Sequence, residues 1–255
     1  MAPPQLNLLR PLLLLAFSAA FIPITIFKLV TTFQFSKLAS WAAFQHAWFG
    51  RFWAWFGPQS REYGGPAVEP ILAKARGVVL DIGPGNGQWV NLFSAAKNKD
   101  IKKIYGVEPN PDHHAALRQR VKSAGLEGIY EVLPVGVEDL ESCGIEKGSV
   151  DTIATIQCLC SVPGPEDIIK SLYPYLKPGG QWLVYEHVRT PHQHDFVATW
   201  QAAIDNIWPS FFGGCSITRP TDEWLLQAGE WDSVGLHPAK GRANTTPSLT
   251  SWAFW

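Results

Sequence analysis

Val78-Val79-Leu80-Asp81-Ile82-Gly83-Pro84-Gly85-Asn86-Gly87 is the stretch on which the fold turns. A short apolar run, then an acid, then glycines at alternate positions, reads as a buried strand entering a tight loop. The following segment, Trp89 to Lys97, reads as a helix. A glycine-rich loop between a strand and a helix is the context in which such loops bind ligands. The rhythm then repeats. Ile104–Val107, Tyr130–Val135, Val150–Ile156 and Gln181–Tyr185 read as strands, and Pro111–Ala124 and Glu166–Leu176 as helices. Strands separated by helices imply an α/β architecture, a parallel sheet wound on both faces. Ligands of such sheets sit beyond the carboxyl ends of the strands, at the point where strand order reverses.

The loop itself selects among ligands. A dinucleotide loop needs a glycine where Gln88 stands, and a phosphate loop needs Gly-Lys followed by Ser or Thr, which is absent. Here the pattern is GxGxG, Gly83, Gly85 and Gly87, with Asp81 two positions ahead. Glycines let backbone approach a ligand closely, and an adjacent acid suits positive charge better than pyrophosphate. A nucleoside bearing a sulfonium and an ammonium group fits, which is S-adenosylmethionine. Glu108, with Pro109 beside it, ends the second strand, where a carboxylate accepts from both ribose hydroxyls. The bland reading of Glu108 is a solvated strand-end acid. After the third strand, Val137, Glu138 and Asp139 offer backbone N–H groups and a carboxylate to the adenine, without deciding which acid serves. Gln157 and Cys158 end the fourth strand and face the reactive end of the cofactor.

With VLDIGPGNG, GVEP, GVEDL and LKPGG in place, the sequence from Val78 to Glu186 resembles the class I S-adenosylmethionine-dependent methyltransferases. A narrower set, PNP at 109–111, CLCSV at 158–162, EHV at 186–188 and GCSITR at 214–219, is similar to the small membrane-anchored alkyl-thiol methyltransferases. The resemblance implies a Rossmann-like sheet, mostly parallel, with an antiparallel C-terminal strand at Ser251-Trp252-Ala253-Phe254. It implies methyl transfer to a small lipophilic acceptor, foremost a thiol, at the endoplasmic reticulum or a lipid droplet. O- or N-methylation of a lipid, quinone or secondary metabolite is the alternative, and a membrane-tethered cofactor-binding scaffold the non-enzyme one. A Trp-rich stretch at 41–55 and Pro84 in the loop depart from the pattern and bear on the acceptor. A thiol, with a pKa near about 8.5, needs less help than an alcohol. His187, beside Glu186, is the candidate base or acceptor-orienting group. Phe196 to Phe212 reads as an amphipathic lid, with Trp200, Asp205, Trp208 and the nearby Arg219 as candidate acceptor contacts. His113 and His114 open a helix and read as surface residues.

Composition points to a second region. Of the 255 residues 46% are hydrophobic and 17% charged, with twelve Trp to one Met; an ordinary soluble domain is about 25% charged. Disorder and a disulfide scaffold are excluded, and a net charge of −1 argues against nucleic acid as a partner. Residues 1–76 hold seven basic and two acidic side chains, so residues 77–255 are net acidic. Pro11 to Phe27 carries no charge; as a helix it would measure roughly 25 Å, slightly under a bilayer core of about 30 Å, and Pro23 would interrupt it. A span, a monotopic anchor, a cleaved signal ending near Ser18-Ala19-Ala20 and a buried core helix all fit its composition. The apolar pattern continuing through Phe21, Ile22 and Ile24 favours an uncleaved anchor against membrane lipid. Trp41, Phe44, Trp48, Phe52 and Trp55 then form an aromatic stripe at helical spacing, suited to a membrane interface or to the wall of a substrate pocket. Lys28, Lys37 and Arg51 after the run place the following domain on the cytosolic side. The expected division is 1–64, attachment, and 65–255, catalytic domain, with Gly64-Gly65-Pro66 as linker. Cys143, Cys158, Cys160 and Cys215 form no CxxC pair, so no metal site is expected. Asn244-Thr245-Thr246 matches a glycosylation sequon.

Overall fold

The computed structural model describes residues 4–94, 96–191, 194–238 and 250–254. Helices α1 (Pro4–Thr31), α2 (Phe35–Leu38) and α3 (Trp41–Leu72) precede the glycine-loop strand, β1 (Gly77–Ile82). Then come β2 (Ile101–Val107), α4 (Pro111–Ser123), β3 (Tyr130–Leu133), β4 (Val150–Ile156), α5 (Pro165–Leu172) and β5 (Leu176–Val188). The chain continues through α6 (Phe196–Asp205), α7 (Trp208–Phe211), α8 (Thr221–Gln227), β6 (Leu236–Pro238) and β7 (Thr250–Phe254). The sheet order is β3-β2-β1-β4-β5-β7-β6. The first five strands are parallel, and β7 runs antiparallel to both β5 and β6. Strand order reverses between β1 and β4, which sets the ligand crevice at their carboxyl ends.

The central strands are apolar on both sides because both faces are covered. One core gathers Val68, Ile71 and Leu72 of α3 with Val90, Phe93 and Leu117. The opposite face packs Leu80, Ile153, Ile169, Leu172, Trp182 and Leu225. A third apolar cluster lies off the sheet, where Leu15 of α1 and Phe52 of α3 meet Ile204, Trp208 and Phe212.

Three expectations are corrected. Trp89 to Lys97 is not a helix but a 3₁₀ turn at Val90–Phe93, because the C-terminal end of α3 already covers that face of the sheet. Gly64-Gly65-Pro66 is not a linker: α3 runs through it unbroken. Gly64 serves close packing, since a Cβ there would stand 3.3 Å from the Trp89 ring. No break therefore falls at 64/65. Pro23 does not interrupt α1, which packs along α3 with Leu15, Ser18, Thr25 and Leu29 buried; Trp48 Nε1 donates to Ser18 O at 2.7 Å. Within α1, Leu9–Thr31 has a mean hydropathy of 2.2 and is long and apolar enough to cross a membrane, by length and composition. The other side of these helices is apolar and open to solvent, with Phe27 at 65% exposure, Phe33 at 81% and Trp41 at 61%. The sequon at Asn244 lies outside the described residues.

Candidate active site

Parallel pairing brings the ends of β1, β2 and β4 level, with Ile82 opposite both Val107 and Thr155. The loops that leave them converge. Gly83 has φ +64°, and a Cβ there would lie 2.3 Å from Cys158 Sγ. Only glycine permits that backbone and that approach. Glu108 is the hub of the rim: its Oε2 accepts from Gly85 N at 2.8 Å and its Oε1 from Asn110 N at 2.9 Å. His113 Nδ1 stands 3.5 Å from Oε1. His114 Nε2 lies 2.7 Å from the Glu108 carbonyl. Burial opposes ionisation of Glu108, yet the His113 contact and the two N–H bonds hold its carboxyl below the ordinary value. Two cations pin the loop from outside: Arg120 donates to Asn86 O and Oδ1, and Arg61 donates to Gln88 O and stacks 4.9 Å over Trp89.

Above this rim lies a cavity of about 740 Å³. Gly83, Gly85, Glu108, Pro109, Gln157 and Cys158 form its floor, and His187 lies at the end of β5. Its other walls are mostly apolar, with Leu14 and Phe17 of α1, Phe49 and Trp53 of α3, Trp208 of α7, and Phe212 just beyond it, and carry Arg10, His46, Gln59, Ser60 and Tyr63 as polar groups. Gln157 holds φ +58°, a sparsely populated conformation for a residue with a side chain. Such strain clusters at functional sites. Gln157 Oε1 and Gln88 Nε2 are buried on the cavity wall with no partner among the described residues. An unpaired acceptor, an unpaired donor and a strand-end carboxylate suit a ligand that brings its own polar groups. S-Adenosylmethionine fits that set: Glu108 suits its ribose diol, and the side-chain-free loop at Gly83 and Gly85 its close approach.

Over residues 60–223 the sequence matches the methyltransferase domain family. The chain belongs to that family. It is 28% identical over 173 residues to thiol S-methyltransferase TMT1B of Rattus norvegicus, a match covering 62% of this chain and 67% of the relative. It is 31% identical over 171 residues to the ubiquinone biosynthesis O-methyltransferase of Xanthomonas euvesicatoria, covering 63% and 64%. The match thus spans about two thirds of each relative's own length. Among solved structures, the apo form of the S-adenosylmethionine-dependent methyltransferase SibL aligns with a TM-score of 0.59 at 18% identity. That alignment covers 80% of this chain and 57% of SibL, and the likeness is one of fold. The cofactor of this methyltransferase domain is S-adenosylmethionine.

In this methyltransferase several expected site residues stand elsewhere. Asp81 is buried beneath the loop and off the cavity wall, accepting from Tyr130 OH at 2.7 Å. Gly106 leaves room for that phenol, for a Cβ there would meet Tyr130 OH at 2.3 Å. Loss of water drives the Asp81 carboxyl up to about 7, partly offset by the Tyr130 bond and reinforced by Glu108. Gly87 packs against Leu117 rather than into the cavity. Val137, Glu138 and Asp139 form a 3₁₀ turn after β3, also off the wall, with both acids exposed.

The expected catalytic pair separates, because successive side chains of β5 point to opposite faces. His187 faces the cavity, while Glu186 is fully buried and accepts from the N–H groups of Cys158, Leu159 and Cys160 at 2.8, 2.9 and 3.1 Å. Glu186 is a brace for the loop after β4. Of the expected acceptor contacts only Trp208 reaches the cavity. Trp200 packs beside the third apolar cluster. Asp205 clasps the segment before Arg219, accepting from Ser216 Oγ, Ile217 N and Thr218 Oγ1 at 2.8, 2.7 and 2.6 Å. Arg219 donates to Leu159 O and Val162 O at 2.6 and 2.7 Å, tying down the loop after β4. The expected lid is two helices, α6 and α7, rather than one.

Sequence reasoning missed other residues. His113 and His114 are not surface residues; α4 starts three residues after Glu108, so its first turn folds back over that carboxylate. The available signal was the Asn110 cap and Pro111, which fix where α4 begins. Cys160, His187 and Cys215 come from three distant segments, yet their ligating atoms lie within 4.8 Å of one another.

Proposed function

We propose that this methyltransferase S-methylates a small lipophilic thiol that reaches the cavity from a membrane. The observation that carries the reading is the make-up of the acceptor side. The helices that line it, α1 and α3, are the ones whose outer faces expose Ile24, Phe27, Trp41 and Trp55. An exposed apolar surface of that extent marks a membrane or partner surface. Residues 1–64 then serve as attachment and acceptor wall together, with residues 65–255 supplying the cofactor side. The basic residues Lys28, Lys37 and Arg51 support a catalytic domain facing the cytosol, with the endoplasmic reticulum or a lipid droplet as the proposed membrane.

When bound, S-adenosylmethionine supplies a methyl group already activated on a sulfonium. The protein's share is to position the partners and keep water out. Glu108 receives the ribose hydroxyls, with Gly83, Gly85, Pro109, Gln157 and Cys158 as the surrounding wall. His187 orients the acceptor, and Trp208 and Phe49 close the space around its alkyl chain. A thiol suits this site because its lone pair is available with little base catalysis.

The test is incubation of the purified full chain with labelled cofactor and a panel of alkyl thiols, phenols and amines. Thiols should be methylated fastest, and longer alkyl chains should lower KM. Exclusive labelling of phenols would replace the reading with the oxygen acceptor that the similarity to the O-methyltransferase favours. Cofactor binding without turnover on any acceptor would sink the enzyme reading.

A further inference from the structure

We propose that Cys160, His187 and Cys215 form a zinc site in the acceptor half of the cavity, its fourth position open to the substrate thiol. The inference rests on the thiol reading above and deepens it.

All three side chains line the cavity, and their ligating atoms lie within 4.8 Å of one another. Cys215 Sγ stands 3.5 Å from His187 Nδ1. Zinc bonds of about 2.3 Å to sulfur and 2.0–2.1 Å to nitrogen give tetrahedral edges of about 3.6 Å between S and N and about 3.8 Å between two sulfurs. The S–N edge is therefore already formed, and closing the remaining ones requires a contraction of about 1 Å at most. Two cysteines and a histidine with one open position is the donor set of a catalytic zinc centre, whereas a structural site takes four protein ligands. Soft thiolates favour zinc over hard cations such as magnesium and calcium.

The backbone around these ligands is fixed. Cys160 N donates to the buried Glu186, Ser216 N donates to Cys160 O at 2.8 Å, and Cys215 N donates to Phe212 O at 3.1 Å. The two cysteine loops are thus bonded to each other. Charge agrees with location: two thiolates and a neutral imidazole around Zn²⁺ sum to zero, the tolerable state among apolar walls.

The chemistry follows. As the substrate sulfur binds zinc, its S–H bond breaks and the proton leaves to water through the cavity mouth. The sulfur keeps that electron pair and is held as a thiolate inside the cavity floored by the glycine loop. Its electron pair displaces the methyl from the cofactor's sulfonium, the broken C–S pair stays on the departing S-adenosylhomocysteine, and the product, a neutral thioether and a poorer zinc ligand, leaves.

Cobalt(II) gives a readout independent of turnover. Metal-free full chain, purified in mild detergent under reducing conditions, should take up one cobalt per chain. It should show the visible bands of tetrahedral cobalt with near-ultraviolet thiolate charge transfer, and adding an alkyl thiol should shift the visible bands. Cys160→Ser with Cys215→Ser should abolish the spectrum, and Cys143→Ser should leave it intact. His187→Asn, a second variant should the double one misfold, should weaken metal affinity beyond the roughly 10–100-fold that follows loss of a mere outer hydrogen-bond partner. Cofactor binding checks the fold of each. The inference is overturned by folded wild type that takes no cobalt, or by a spectrum indifferent to Cys160 and Cys215. Thiol methylation by metal-free protein at the rate of zinc-loaded protein also overturns it, while leaving the thiol reading standing. A cobalt site that forms but accepts no thiol, in a protein that methylates only phenols, removes the thiol reading and the open-position assignment together.

Discussion

At the carboxyl ends of β1, β2 and β4, the cavity floor is held by directional bonds. Glu108 accepts from Gly85 N and Asn110 N, Arg120 and Arg61 hold the outside of the glycine loop, and Glu186 collects three N–H groups beneath Cys158–Cys160. Across the cavity the wall is aromatic and aliphatic, Phe17, Phe49, Trp53 and Trp208, with edge-to-face and stacked rings behind it such as Phe21–Phe52 and Phe52–Phe56. The first wall fixes one ligand's orientation to within a bond. The second excludes water and admits a range of apolar shapes. On the proposed reading, one side holds a constant cofactor and the other an acceptor whose alkyl part varies.

The sharpest way to break that contrast is to attack the brace. Glu186→Ala leaves three buried N–H groups without an acceptor and should cost about 3–5 kcal/mol of stability, read by urea unfolding. A loss under about 1 kcal/mol would mean that the floor is not held by these bonds. Next is Asp81. Its folded value, about 7, lies above the ordinary carboxyl value of 3.8, so the folded state keeps the proton longer. Stability is then greatest below about pH 4 and falls as pH rises towards about 7, by a few kcal/mol at most. Asp81→Asn should flatten that decline in denaturation series at pH 5 and pH 7.5. Glu108, held below its ordinary value, acts in the opposite sense at acid pH. Glu108→Ala should weaken cofactor binding about 10–100-fold by calorimetry, from loss of charge-assisted bonds. Trp53→Ala is the smallest effect expected and the one most specific to the acceptor wall. It should raise acceptor KM several-fold, about 1 kcal/mol of lost apolar contact, while cofactor affinity stays within about twofold. Equal loss on both ligands would erase the distinction between the walls.

Where the site was legible, local pattern carried it. The GxGxG spacing after an apolar run put Gly83 and Gly85 on the cavity floor, and the end of β2 put Glu108 there. Where it was not, the deciding fact was the direction of a side chain or a distant neighbour. Glu186 and His187 are adjacent in sequence, but strand alternation turns one into the core and the other into the cavity. Asp205 and Arg219 read as site residues because a charge in an apolar stretch draws notice. Their partners, the segment at Ser216–Thr218 and the carbonyls of Leu159 and Val162, are matters of packing. Gly64-Gly65-Pro66 has the composition of a linker, yet α3 runs through it, with the Trp89 ring packed close to Gly64.

The sequence by itself determined the five parallel strands, the helices after β2 and β4, and the glycine loop that ends β1. Each of these follows from local propensity and from hydrophobic periodicity along a short segment. Only the tertiary structure decided that α1 and α3 form a wall of the cavity and that Cys160, His187 and Cys215 converge. The reason is physical: long-range proximity is set by how elements pack on the sheet. Residues from the ends of β4 and β5 and from the segment after α7 meet only once that sheet has formed.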